Sequence, residues 1–243
     1  MSIQRQSTLL ILLLCSYSLM AQYTFIGFRE GFGFYSMKGL DHLQELRCNE
    51  SGLPLVTTES YPASLNYHVE IGGYLPSFIS NWAICYGYGS TGARSTVSDY
   101  SGRYDLDAII TGHQLGLMIG HDFTSANNWG YGTYIEAGAA YSRLKTLDFF
   151  NLTFPTHMTY KTTYDFNAFG GYGEVGLFFR FKYRFLLARL NLGYLFDFMA
   201  GFHLKDNKDM QLYLDNSKVR PQWDGLRIGL QINILIRKPE KTN

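Results

Sequence analysis

Apolar and polar residues alternate along most of this chain with a period of two. Near the C-terminus, Leu226, Ile228, Leu230, Ile232, Ile234 and Ile236 share one parity. Gly225, Arg227, Gly229, Gln231 and Asn233 share the other. The segment ARLNLGYLFDFMAGF repeats the pattern. Leu190, Leu192, Tyr194, Phe196 and Phe198 fall on one side, and Arg189, Asn191, Gly193 and Asp197 on the other. Successive side chains of a strand point to opposite faces, so both charges leave the apolar face together.

Six further segments read the same way. Residues 65–75, 78–90, 107–121, 130–146 and 164–181 set Tyr67, Val69, Trp82, Tyr86, Leu115, Ile135, Val175 and Phe179 against His68, Glu70, Cys85, Gln114, Glu136, Gly138, Glu174 and Gly176. Residues 25–36 are a Gly/Phe strand of imperfect parity, because Glu30 falls among Ile26, Phe28, Phe32 and Phe34. That makes eight strands, many longer than the usual 5–6 residues. A tilted strand of ~9–11 residues crosses a bilayer.

The connections alternate as well. Pro76-Ser77, the 125–128 segment and Lys182-Tyr183 read as tight turns. The stretches 38–63, 91–105, 147–162 and 205–221 are long and polar. Within the first, Met37, Leu40, Leu43 and Leu46 recur at helical spacing and predict a short helix over 37–48. Short turns at one end and long loops at the other predict an all-β fold: an eight-stranded antiparallel up-and-down transmembrane β-barrel with short periplasmic turns and long extracellular loops. A soluble barrel of lipocalin type is the alternative. Gly mixed with charges suits a narrow interior better than a solvent face, which favours the membrane form.

Composition sharpens this. Charged residues are only 17% and aromatics 16% of 243 residues, with 25 Gly, which suits strands rather than disorder. A formal net charge of +1 with scattered Lys and Arg argues against a nucleic-acid partner. Arg5 followed by Leu9–Leu14 predicts a signal peptide over residues 1–21, cut at Ala21-Gln22, leaving 22–243 as the barrel domain. The remaining Cys48 and Cys85 are expected to be free, since two cysteines make no disulfide framework.

On these residues the mature chain resembles the small outer-membrane β-barrel proteins of Bacteroidetes-type bacteria, and more distantly OmpA/OmpX-type barrels. The GFGFYSMKGL run, the STGARSTVSDYSG loop (90–102) and the last strand carry the resemblance. It implies fold and an outer-membrane location, with no single activity. Arg227, Gly229, Ile232 and Ile234 resemble the assembly signal that such barrels present to the barrel-assembly machinery, although Arg237-Lys238 follow instead of a terminal aromatic.

The candidate sites are two. Glu70, Glu136, Glu174, Arg189, Asp197 and Arg227 form an expected interior charge network. An eight-stranded barrel is just wide enough for side chains to fill it, so these ions should pair and plug the interior. Arg189 is expected to pair with Glu174 or Glu136, and Asp197 to sit nearer the outer rim. Arg94, Asp99, Tyr100, Arg103, Asp105 and Asp107 form a candidate extracellular loop surface for a partner or for lipopolysaccharide phosphates. Trp82, Tyr86, Tyr88, Trp129, Tyr131 and Tyr194 suit an interfacial aromatic girdle. No catalytic constellation stands out: there is no His-x-Ser pair, and His157-Met158-Thr159 lies in a loop. Neither metal nor cofactor is expected. A monomer with a structural or surface-interaction role, in contact with outer-membrane lipids and lipopolysaccharide, is the leading expectation. A narrow channel or transporter comes second, and a lipid-modifying enzyme third.

Overall fold

The computed structural model describes residues 23–75, 81–124, 128–153 and 157–237. The signal segment, Pro76-Ser77 and most of the 125–128 turn lie outside these residues. In chain order the elements are β1 (Tyr23–Tyr35), α1 (Lys38–Glu50), β2 (Val56–Ser60), β3 (Ser64–Tyr74), β4 (Asn81–Asp99), β5 (Gly102–Asp122), β6 (Trp129–Leu152), β7 (Met158–Tyr183) and β8 (Leu186–Met199). Four short strands follow, β9 (His203–Leu204), β10 (Asn207–Gln211), β11 (Tyr213–Leu214) and β12 (Ser217–Lys218), before β13 (Gly225–Arg237).

Eight of these close an antiparallel ring in the order β1, β3, β4, β5, β6, β7, β8, β13 and back to β1. Its stagger can be read from the register. From Phe169 on β7 the cross-strand partners run through Tyr141, His113, Tyr88, Tyr67, Glu30, Leu230 and Leu190, and return to β7 at Phe179. The path comes home ten residues from its start, so the strands lean, in the roughly 35–45° range usual for closed sheets.

The alternation in sequence becomes inside and outside. Ile26, Phe28, Val69, Leu115, Ile135, Leu177, Leu190 and Ile232 are exposed on the outer wall, while their neighbours point inward and are buried. Glu30 does face outward, and the parity that looked imperfect is regular: Phe25, Gly27, Arg29, Gly31 and Gly33 take the inside.

Three expectations are revised. The long loops at 91–105 and 147–162 are mostly strand, because β4, β5, β6 and β7 continue their pairing far past the ring, to Asp99–Gly102 and Leu152–Met158. The tight turn expected at Lys182-Tyr183 falls at Arg184-Phe185, with Arg184 at φ 54°. The helix runs over Lys38–Glu50 rather than 37–48, and Met37 precedes it as the N-cap residue.

The interior is layered. At the end where the chain makes its longer connections, Met37 and Leu40 of α1 pack with Tyr61, Phe202, Val219 and Trp223 over Ala108, Ile110, Leu144 and Met199. At the opposite, turn-bearing end, Phe25, Met118, Tyr134, Phe178, Leu187 and Leu235 form a second apolar cluster. Between these two layers lies a polar belt.

Candidate functional site

The belt is built around Arg29. Gly229, across on β13, leaves room for its stem: a Cβ there would lie 3.2 Å from Arg29 Cγ. Arg29 donates to Glu136 Oε2 at 3.1 Å and to Glu174 Oε1 at 3.4 Å, and its Nε lies 3.6 Å from Glu70 Oε1. Arg227 joins from β13, donating to Glu174 Oε2 at 3.0 Å and to Tyr35 Oη at 3.0 Å. All three glutamates are completely buried.

Two guanidiniums therefore face three carboxylates. Neutral donors complete the set. Tyr134 donates to Glu174 at 2.6 Å, Tyr172 to Glu136 at 2.7 Å, and Gln231 to Glu70 at 2.7 Å. His68 sits 2.7 Å from Arg29 Nη2 through its Nδ1. A guanidinium has no acceptor, so Nδ1 accepts; the second guanidinium, Arg227 Nη1, lies 3.5 Å from Nε2. Gly87 leaves room for this ring: a Cβ there would lie 2.8 Å from His68 Cε1. The free space beside the belt is about 10 Å³, lined by Arg29, His68, Tyr134, Glu174 and Arg227. That is on the order of one water molecule.

Of the residues expected in this network, Glu70, Glu136, Glu174 and Arg227 come together, and two do not. Arg189 points inward but lies in the turn-end cluster. Its guanidinium stacks 4.4 Å from the Phe178 ring and 5.5 Å from Tyr74, and donates to Tyr74 Oη at 2.7 Å. Its expected pairing with Glu174 or Glu136 is not made, because the belt lies further along the axis. Asp197 anchors backbone: it accepts from Met199 N at 2.8 Å and Trp223 N at 2.9 Å, tying the 200–224 connection to the rim. Arg29 and His68 were not among the expected site residues. Their signal was parity alone, since Arg29 alternates with Gly27, Gly31 and Gly33.

The long-loop end is closed by side chains of the connections. Trp223 Nε1 donates to Ser142 Oγ at 2.7 Å, and its ring lies against Gly112, where a Cβ would meet ring carbons at 2.9 Å. From α1, Gln44 donates to Ser95 Oγ and to Leu106 O, both at 2.9 Å, and Arg47 pairs with Asp148. A further buried ion pair, Arg180 with Asp122, sits at the turn end.

The candidate loop surface turns out to be the outer end of the β4–β5 hairpin. Arg94 and Asp107 face one another across it in a two-pronged pair, each contact 2.8 Å. Arg103 and Thr96 both bind Asp105, at 2.9 and 2.6 Å. Asp99 folds the tip by accepting from the Ser101 hydroxyl at 2.6 Å, Ser101 N at 2.8 Å and Gly102 N at 3.2 Å, and these bonds, the hydroxyl's first, hold its carboxyl below the usual range. Tyr100 stands at the apex, 90% exposed.

The aromatic residues of the outer wall fall into two rows. Trp129 and Phe181 (4.4 Å between ring centres), Tyr131 and Phe123 mark the turn end. Tyr88, His113, Tyr141 and Phe169 mark the other, and Tyr86, two residues nearer the turn end on β4, reaches His113 Nδ1 with its hydroxyl at 2.8 Å.

No family model matches this chain, and no curated protein does. Among solved structures it is similar to Ail, the attachment invasion locus protein of Yersinia pestis, at 10% identity and a TM-score of 0.33, over 88% of this chain and 97% of that one. The structure of Ail with the heparin analogue sucrose octasulfate is matched to the same extent.

Proposed function

We propose that this chain is an outer-membrane β-barrel that serves as a surface-interaction protein, with its interior plugged and its extracellular end used for binding. The apolar outer wall supports the membrane part. Tyr131 and Tyr141, one from each aromatic row, are ten residues apart on β6. At ~3.3 Å per residue and a lean of about 40°, that is ~25 Å of height, the thickness of the apolar band of such barrels.

The observation that carries the binding role is the raised sheet. Strands β4 to β7 run on together beyond the ring as a four-stranded platform, with β2 paired to its β4 edge. Membrane crossing does not require this extra length. Its ion pairs are satisfied internally, so it is a rigid display surface rather than a mobile loop. Residues 158–164 at its β7 edge pair only with β6 among the described residues, leaving backbone groups open to a partner strand. The reading is non-catalytic, and interior traffic has no part in it.

The test is a trimmed chain in which β4–β5 and β6–β7 are closed by short turns just above the ring. Cells displaying the full chain should adhere to a protein-coated or cell surface. The trimmed chain should remain heat-modifiable in the outer membrane and lose adherence. Equal adherence by the two would overturn the proposal.

A further inference from the structure

Resting on the membrane reading above, we infer that the β13–β1–β3 wall is a contact surface for a second copy of this chain, centred on Glu30 and Tyr67. Glu30 points outward between Phe28 and Phe32, flanked in register by Leu230 of β13 and Tyr67 of β3. Its height follows from the stagger. The register path from Phe179, beside the turn-end aromatic row, to Phe169, in the opposite row, rises in eight equal steps. Glu30 lies three steps from Phe179 and five from Phe169, about three eighths of the way up. The carboxyl is thus placed inside the apolar band, well away from either aqueous boundary.

Among the described outward residues between the two aromatic rows, Glu30 is the only Asp, Glu, Lys or Arg. Ionisable groups in contact with hydrocarbon are expensive and generally mark a site with a partner. Among the described residues no hydrogen bond reaches the Glu30 carboxyl, and Tyr67 stacks on Phe28 at 6.2 Å with no partner for its hydroxyl among them. A donor and an acceptor therefore lie side by side, both unused.

That pair is self-complementary. A twofold axis along the bilayer normal, running between the two residues, brings each Tyr67 hydroxyl to the other copy's Glu30 carboxyl. Both polar groups are then satisfied in the one environment that supplies no water. Ile228, Leu230 and Ile232 on one flank and Leu65 and Val69 on the other surround the pair with apolar surface. The shape agrees. β13, β1 and β3 are among the shortest ring strands, whereas the tall β4–β7 platform rises from the rest of the ring. Of the wall's strands, the platform, with β2 on its β4 edge, stands above β3 only, and β13 and β1 form the low part of the wall.

The experiment uses the full chain in an outer membrane, in a Cys48→Ser background, with Leu230→Cys on the proposed wall or Leu115→Cys on β5 as control. The two Leu230 positions then stand roughly 10–15 Å apart across the axis, so a bis-maleimide of that span should give an adduct of twice the chain mass for Leu230→Cys and none for Leu115→Cys. Adding Glu30→Leu or Tyr67→Phe should lower the adduct roughly thirtyfold, the scale of the two symmetry-related hydrogen bonds each substitution removes, while Glu30→Gln keeps it. Heat-modifiability identifies folded variants. A chain that folds in the membrane yet stays at monomer mass, or forms an adduct of another mass, overturns the second-copy contact alone. A chain that does not partition into the membrane overturns the reading beneath it as well.

Discussion

Arg29 and Glu136 touch across the full width of the ring. They sit on β1 and β6, four strands apart in either direction, and their side chains meet at 3.1 Å in the centre. This brace joins opposite walls that share no backbone hydrogen bond. Replacing Arg29 with Met leaves Glu70 and Glu136 without a guanidinium partner in a closed interior. Breaking a buried pair from one side costs about 3–5 kcal/mol. Arg189→Met removes ring stacking and one hydrogen bond but strands no carboxylate, so its cost is about 1–3 kcal/mol. Urea titration or heat-modifiability on gels should rank Arg29→Met well below Arg189→Met. Equal losses would refute the separation of belt from turn-end cluster.

Trp223 is the keystone of the upper apolar layer. Gly112→Val should push its ring off the wall and break the bond to Ser142, giving a red-shifted tryptophan emission and faster proteolysis of the 200–224 connection. The ring itself should stay folded, because the belt below is untouched. Trp223→Ala should cost about 3–5 kcal/mol through the void it leaves. Unaltered emission in Gly112→Val would show that the ring does not depend on that gap.

Three layers of side chains block the ring axis, and the space beside the belt holds about one water. Purified chain in planar bilayers should carry no steady current. Trp223→Ala should also stay silent, since the belt seals independently. Steady single-channel steps from the unmodified chain would overturn the plug and favour a narrow channel.

His42 of α1 faces Asp215 at 3.0 Å and Glu45 at 3.6 Å, and the bond to Asp215 raises its pKa above 6.5. A raised histidine stabilises the contact fully below 6.5, and that gain is lost as pH climbs through the raised value. The β11–β12 hairpin, whose turn carries Asp215 and Asn216, should therefore resist protease at pH 5.5 and become more sensitive by pH 8.5. His42→Ala should remove the difference. A pH-independent cleavage rate in the unmodified chain would contradict the assignment.

Much of this was legible from parity. Period-two alternation told inside from outside at Arg227, Glu174, Glu136 and Glu70, because a strand has only two faces. It also placed Glu30 outside, although a lone acid among phenylalanines reads at first as a defect in the pattern. What parity does not carry is height. Arg189 and Arg29 share the inside, yet only Arg29 reaches the carboxylates, because register and lean set which inward residues meet. The lengths of β4 to β7 were hidden for a related reason. Beyond the apolar band polar and apolar residues mix along the strands, as in Tyr104, Asp105, Leu106 and Asp107, and the alternation that marks a strand fades while the pairing continues.

The sequence by itself determined the local choices: strand over most of the chain, one short helix, and the face each side chain takes. Backbone geometry dictates these residue by residue. Only the closed ring decided the rest. Its ten-residue stagger brought Arg29 to Glu136 and Glu174, set Arg189 against Phe178, and lifted Glu30 into the apolar band. These relations join residues on different strands, sometimes more than a hundred positions apart, and they exist only once every strand has a fixed register against its neighbours.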